Sequence, residues 1–185
     1  MSISSDSSPD EFTSPFFIQN KEICYRWGDL IRKFNGKVNG KYTSWSYRII
    51  GHIKTNYSWR IEVSKSTYSA TGISSLLHSN VFENLSISTD TFDSKGSSFY
   101  IRKRNLFFDI FIRNKFKQEL INNYILIGSN KIENKVSKLL NYLSETVDLK
   151  NLYRIEVEGN VLNINIQSYN NCHRLISDLM IWSNK

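Results

Sequence analysis

The sequence predicts an α+β domain, an antiparallel sheet built from hairpins with helices packed mainly on one face. Three observations carry that expectation. Short segments alternate apolar and polar residues with the period of two that a half-wet strand imposes: Trp59, Ile61 and Val63 against Ser58, Arg60 and Glu62, and again Tyr153, Ile155 and Val157 against Arg154, Glu156 and Glu158. Such segments come in adjacent pairs joined by short polar links, as hairpins do. Around the pairs, apolar residues recur at spacings of three and four, which gathers them on one side of a helix.

The elements follow in order. Residues 1–13 are rich in Ser and Asp with almost nothing to bury, and read as a disordered tail; residues 14–185 then form a single domain. Ser14-Pro15 suits a helix start, because proline's missing N–H costs nothing at the first helical position. Ile23, Trp27, Leu30, Ile31 and Phe34 stripe that helix, and Asn35-Gly36 ends it. Strands over Tyr47–Ile53 and Tyr57–Ser64 make a first hairpin, and residues 65–80 read as loop. Leu85–Thr89 and Phe99–Ile101 resume the alternation on either side of a turn and predict a second hairpin. A helix over Asn105–Ile121, a short strand over Asn123–Ile127 and an amphipathic helix from Asn130 to Leu143 come next. A tight hairpin turning at Gly159-Asn160 and a closing helix bearing Cys172, Leu175, Ile176, Leu179 and Ser183 complete the order α-ββ-ββ-α-β-α-ββ-α.

Composition supports a folded, cytoplasmic chain. Its 185 residues are 40% hydrophobic and include 11 Phe, 10 Tyr and 4 Trp, far from the aromatic-poor make-up of disorder. A domain of this size buries roughly 70% of its unfolded surface, enough to stand without covalent staples. The two cysteines, Cys24 and Cys172, fit no paired spacing and read as buried free thiols on helix faces. No apolar run is long enough to span a bilayer, and the start lacks the pattern of a secretory signal.

The search for chemistry returns little. His52, His78 and His173 share no ligand spacing, and Cys172 and His173 are neighbours that point about 100° apart on a helix, so no metal or cofactor is expected. Gly128-Ser129 lacks the second flanking glycine of a nucleophile elbow, and no phosphate-binding glycine loop occurs. Asp90 and Asp93 stand too close together for the acids of a metal-dependent nuclease. No catalytic residue is assigned, and the chain is expected not to be an enzyme.

Charge is the more informative signal. The formal net charge is +7, and the basic residues concentrate in two blocks, 21–65 and 96–118. In the second block, basic and aromatic residues interleave, and Tyr100, Arg102, Lys103, Arg104, Arg113, Lys115 and Lys117 form the candidate binding set. The first block holds Arg26, Arg32, Lys33, Lys37, Lys41 and Arg48, spread through helix and loop. Basic patches bind acidic proteins, nucleic acids or anionic membranes. The expected function is a protein-binding domain of the inhibitor, immunity or assembly-adaptor kind with an acidic partner. The alternative is nucleic-acid binding through residues 99–117, although Arg102-Lys103-Arg104-Asn105 departs from the RNA-recognition consensus.

Overall fold

A computed structural model describes residues 2–69, 79–92, 98–103, 116–119, 124–128, 152–167 and 172–184. Over these residues the protein is α+β, with two helices and one large, mostly antiparallel sheet. The strands are β1 (Ile3–Ser5), β2 (Lys37–Tyr42), β3 (Ser46–Lys54), β4 (Ser58–Ser69), β5 (Ser79–Thr89), β6 (Phe99–Lys103), β7 (Phe116–Glu119), β8 (Tyr124–Gly128), β9 (Leu152–Glu158) and β10 (Val161–Gln167). The helices are α1 (Pro15–Lys33) and α2 (Cys172–Trp182). Across the sheet the strands run β1-β2-β3-β4-β5-β10-β9-β6-β8-β7, and among these pairings β1 with β2 is the parallel one.

Register explains why so many short strands make one sheet. Gly51, Ile61, Ile87, Ile164, Ile155, Ile101 and Leu126 are successive cross-strand partners from β3 to β8. The six side chains in that row are each at most 2% exposed. Because the side-chain period is two, fixing one row fixes the face of every other residue. A parallel row, Ile53, Trp59, Thr89, Leu162, Val157 and Phe99, lies on the same side. Burying each of these large side chains contributes about 1.5–3 kcal/mol.

Helix α1 closes over this face where β3 carries no side chain. A Cβ on Gly51 would stand 2.4 Å from Ile31 Cδ1, so the glycine is what lets the helix approach. Of the stripe the sequence predicts, Trp27 and Ile31 are buried and Ile23, Leu30 and Phe34 pack half-buried against the core, while Phe17 and Cys24 are buried beside them. At its end, the amides of Asn35 and Gly36 donate to the carbonyls of Arg32 (2.8 Å) and Ile31 (3.0 Å). Asn35 takes the left-handed position, φ 55°, that helix termini of this kind require. Asn20, fully buried, ties the helix to the β2–β3 turn: its amide donates to the carbonyls of Thr43 (2.9 Å) and Ser44 (3.2 Å), and its oxygen accepts from Lys65 Nζ (3.2 Å). Helix α2 adds Leu175, Ile176, Leu179 and Met180 to the same core. Its His173 ring stacks on Trp27 of α1 at 4.4 Å, and its Trp182 stacks on Tyr57 at 6.0 Å. Cys24 and Cys172 are free and buried, and burial pushes their thiols up to about 12 and about 11.

Four expectations change. The segment read as a tail carries β1 and a 3-10 turn over Pro9–Glu11. What anchors it is one side chain that an average composition conceals: Ile3 is buried against Gly28, whose added Cβ would stand 2.6 Å from Ile3 Cδ1. Lys41 also bridges to Asp6 at 2.9 Å, and Ser7 donates to Glu11 at 2.6 Å. Second, residues 65–69 and 79–80 continue β4 and β5, paired out to Ser69 and Ser79. Third, β5 and β6 are not partners. The β9–β10 hairpin inserts between them, since Ile164 and Ile155 complete the apolar row from both sides. Fourth, residues 116–119, expected in a helix, form β7 against β8. The expected helix from Asn130 to Leu143 lies outside the described residues.

Two outcomes test this packing. Gly51→Val forces a branched side chain into Ile31 and is expected to cost about 1–3 kcal/mol, the usual range for overpacking, read as a lowered urea midpoint with an unchanged slope. The pKa of His173 is lowered by burial and, secondarily, by Arg26. The unfolded chain therefore takes the proton more readily. Stability is full above the ordinary histidine value near ~6.5 and falls as pH drops from there toward the lowered folded value. Urea titrations between neutral and mildly acidic pH should show that loss, and His173→Phe should flatten it.

Candidate functional site

Alternation puts polar side chains on the opposite face of the sheet, and the registers place them in rows. One row runs Lys37, His52, Arg60, Ser88, Asn163, Glu156, Tyr100 and Ile127. The next runs Asn39, Ile50, Glu62, Ser86, Asn165, Arg154, Arg102 and Ile125. The middle of this face, on β5 and β10, carries short hydroxyl and amide groups. Its β8 end is closed, since Ile125 and Ile127 are fully buried. Toward β2 it is basic, with Lys37, Lys41, Arg48, His52, Lys54 and Arg60 all exposed.

Of the residues the sequence singles out, Tyr100 and Arg102 lie half-buried on this face of β6, and Lys103 ends the strand exposed. Lys117 sits on β7 at the register position of Ile127. Arg104, Arg113 and Lys115 lie outside the described residues. Unforeseen in the sequence is Arg154, directly opposite Arg102. Its guanidinium covers the Tyr100 ring at 5.1 Å and donates to Glu156 at 2.7 Å. Arg102 donates to the carbonyl of Lys103 at 3.0 Å. One π-face of Tyr100 is thus already occupied by a cation, which removes that face as a stacking platform for a base.

The first basic block divides between the two sides of the protein. Arg26, Arg32 and Lys33 stand on the exposed side of α1, whereas Lys37, Lys41 and Arg48 join Lys54 and Arg60 on the polar sheet face. Two depressions mark that face. The larger, about 520 Å³, is lined by Lys37, His52, Lys54, Arg60, Ser88, Asp90 and Asn163 among others. The smaller, about 350 Å³, includes Asp6, Lys41, Arg48, Glu62 and Lys65. They differ in how charge is compensated. In the smaller one, Lys41 pairs with Asp6 at 2.9 Å and Arg48 with Glu62 at 2.7 Å. Glu62 also takes Arg60 Nη2 at 2.9 Å, so one carboxylate serves two guanidinium groups. Burial raises the pKa of Glu62, but hydrogen bonds from both arginines and their charges together outweigh burial and hold it below the usual carboxylate value. In the larger depression, Lys37 and Lys54 have no carboxylate partner among the described residues.

Chemically this arrangement presents cations and hydroxyl and amide donors to solvent, groups that attract anions in general. Among the described residues no three His, Cys, Asp or Glu side chains gather as metal ligands. His173 is stacked on Trp27, and Ser129 lies outside the described residues. No described helix is long and apolar enough to cross a membrane.

Glu62→Gln removes the charge that the two arginines share and is expected to cost about 1 kcal/mol at neutral pH, the scale of a charge-assisted hydrogen bond in a half-wet site. The Glu62 contribution is present above ~4.5, the ordinary carboxylate range, and disappears as pH falls through the lowered folded value. Wild type and variant should therefore converge in urea denaturation at strongly acid pH. Comparison with known proteins identifies no relative: no family model, curated protein or solved structure matches the chain.

Proposed function

We propose that this protein is a non-enzymatic binding domain of the cytoplasm, an inhibitor, immunity-type neutraliser or assembly adaptor, that takes an acidic protein partner on the polar face of its sheet. The observation that carries the reading is the distribution of charge on that face. Five permanent cations, Lys37, Lys41, Arg48, Lys54 and Arg60, stand exposed on three adjacent strands beside a carpet of serine and asparagine. The carboxylates beside them are fewer: Asp6, Glu62 and Asp90. Like charges on neighbouring strands repel. An acidic surface laid over them relieves that repulsion, and the short polar side chains between hydrogen-bond at little cost in conformational entropy. On this reading the acidic partner is held by β2, β3 and β4 rather than by residues 99–117.

Nucleic-acid binding through Tyr100 and Arg102 has less support, because Arg154 occupies one face of the tyrosine ring. One titration separates the readings. A labelled acidic peptide and a single-stranded oligonucleotide of equal charge are followed by fluorescence anisotropy at moderate salt. The peptide should bind more tightly, and the double substitution Lys37→Glu with Arg60→Glu should weaken it by about tenfold or more, whereas Arg102→Glu leaves it nearly unchanged. Tighter binding of the oligonucleotide, lost in Arg102→Glu, would overturn the proposal.

A further inference from the structure

Strand β1 is held on the outer edge of β2 by few contacts. Among residues 2–14, Ile3 is the one buried side chain, and Ser2, Ser4 and Asp6 around it are exposed. Two glycines make the socket that takes it. A Cβ on Gly28 of α1 would stand 2.6 Å from Ile3 Cδ1, and one on Gly40 of β2 would stand 3.5 Å from Ile3 Cγ1. Glycine at both places leaves room there for one aliphatic side chain. The backbone contacts are equally few. The three residues of β1 lie parallel to residues 40–42, an arrangement slightly less stable per residue than an antiparallel one. The Gly40 amide donates to the Ser2 carbonyl at 3.3 Å, and the Asp6 amide to the Tyr42 carbonyl at 3.1 Å. On the polar face Asp6 meets Lys41 at 2.9 Å, with the two side chains 48% and 68% exposed, so water weakens the pair.

We infer that β1 is a displaceable strap, and that the edge of β2 beneath it takes an extended segment of the acidic partner, with an aliphatic residue in the glycine socket and a carboxylate three positions later. The inference rests on the reading of this protein as a binder of acidic partners, and the strap itself displays the chemistry that fits. Alternate side chains of a strand face opposite ways. Ile3 therefore enters the socket on the core side, while Asp6 reaches Lys41 on the polar side. Arg48, the cross-strand partner of Lys41, stands next to that position. An edge strand pairs through its main chain with any extended segment, and the side-chain pockets select among them. While β1 is in place it competes for the edge, and the partner's apparent affinity is lowered by the fraction of molecules in which the edge is open.

The test uses the full chain, with a labelled peptide of residues 2–8, its Ile3→Ser and Asp6→Lys forms, and poly-glutamate, followed by fluorescence anisotropy. Protein carrying Ile3→Ser has an empty socket and should bind the parent peptide about tenfold more tightly than wild type does. Protein carrying Gly28→Ala also releases β1 but fills the socket, and should not bind it. The Ile3→Ser peptide should bind neither variant, and the Asp6→Lys peptide should bind the Ile3→Ser protein several-fold more weakly than the parent does. Deuterium exchange reads the strap without any substitution: in wild type the Gly40 amide should exchange about tenfold or more faster than those of Ile61 and Ile87 in the middle of the sheet. Equal rates would mean that β1 leaves only on global unfolding, and would overturn the strap. Slow exchange at Ile61 and Ile87 in the variants shows that they fold. If the Ile3→Ser protein binds the parent peptide no better than wild type, the edge site is refuted, while binding of poly-glutamate keeps the acidic-partner reading. If the Asp6→Lys peptide binds that protein as tightly as the parent and poly-glutamate does not bind, the edge site stands and the acidic occupant is overturned. A wild-type dimer that Gly28→Ala abolishes would assign the edge to β1 of a second copy and overturn the partner assignment.

Discussion

Everything else in this fold depends on one constraint, the unbroken row of buried side chains that crosses the sheet from Gly51 on β3 to Leu126 on β8. Because a strand has only two faces, a single buried row commits every neighbouring residue to the core or to the surface. The same constraint decides where the helices sit. At Gly51 the row drops to a hydrogen, and Ile31 of α1 fills the space. Sheet and helix are thus fitted at a point where a side chain added at Gly51 would push the helix away.

The polar face is the complement of that row, and its electrostatics follow from it. Residues that alternate with Ile49, Gly51 and Ile53 on β3 are Arg48, Ile50, His52 and Lys54; those that alternate with Trp59, Ile61 and Val63 on β4 are Ser58, Arg60 and Glu62. Adding Lys37 and Lys41 from β2 gathers on one surface cations that are far apart along the chain. Glu62 compensates part of this by accepting from Arg48 and Arg60 together. The rest is left facing outward, in the larger depression most of all.

How much of this was legible in the sequence depended on whether a signal was local. The period of two in Ser58–Val63 and Tyr153–Gln167, and the stripe from Ile23 to Phe34, are properties of a few consecutive residues, and they identified β4, β9, β10 and α1. Strand pairing is not local. Nothing near Leu85 or Phe99 announces that Ile155 and Ile164 stand between them. The strand β2 was missed because two of its six residues, Asn39 and Gly40, are poor strand formers, although Val38 and Tyr42 point inward. The grouping of cations on β2, β3 and β4 was not legible for the same reason. Arg102-Lys103-Arg104 is a conspicuous run of charge, whereas Lys37, Lys54 and Arg60 become neighbours only through registers that no short window contains.

The proposed grip on an acidic partner lies on the basic side of the polar sheet face, between β2 and β4. Backbone amide NMR during titration with poly-glutamate reads that directly, residue by residue. The largest shifts are expected at Lys37, His52, Lys54 and Arg60, with the exposed side of α1 unmoved. Shifts centred on Arg102 and Lys103, or spread evenly over every exposed cation including Arg26, Arg32 and Lys33, would contradict it.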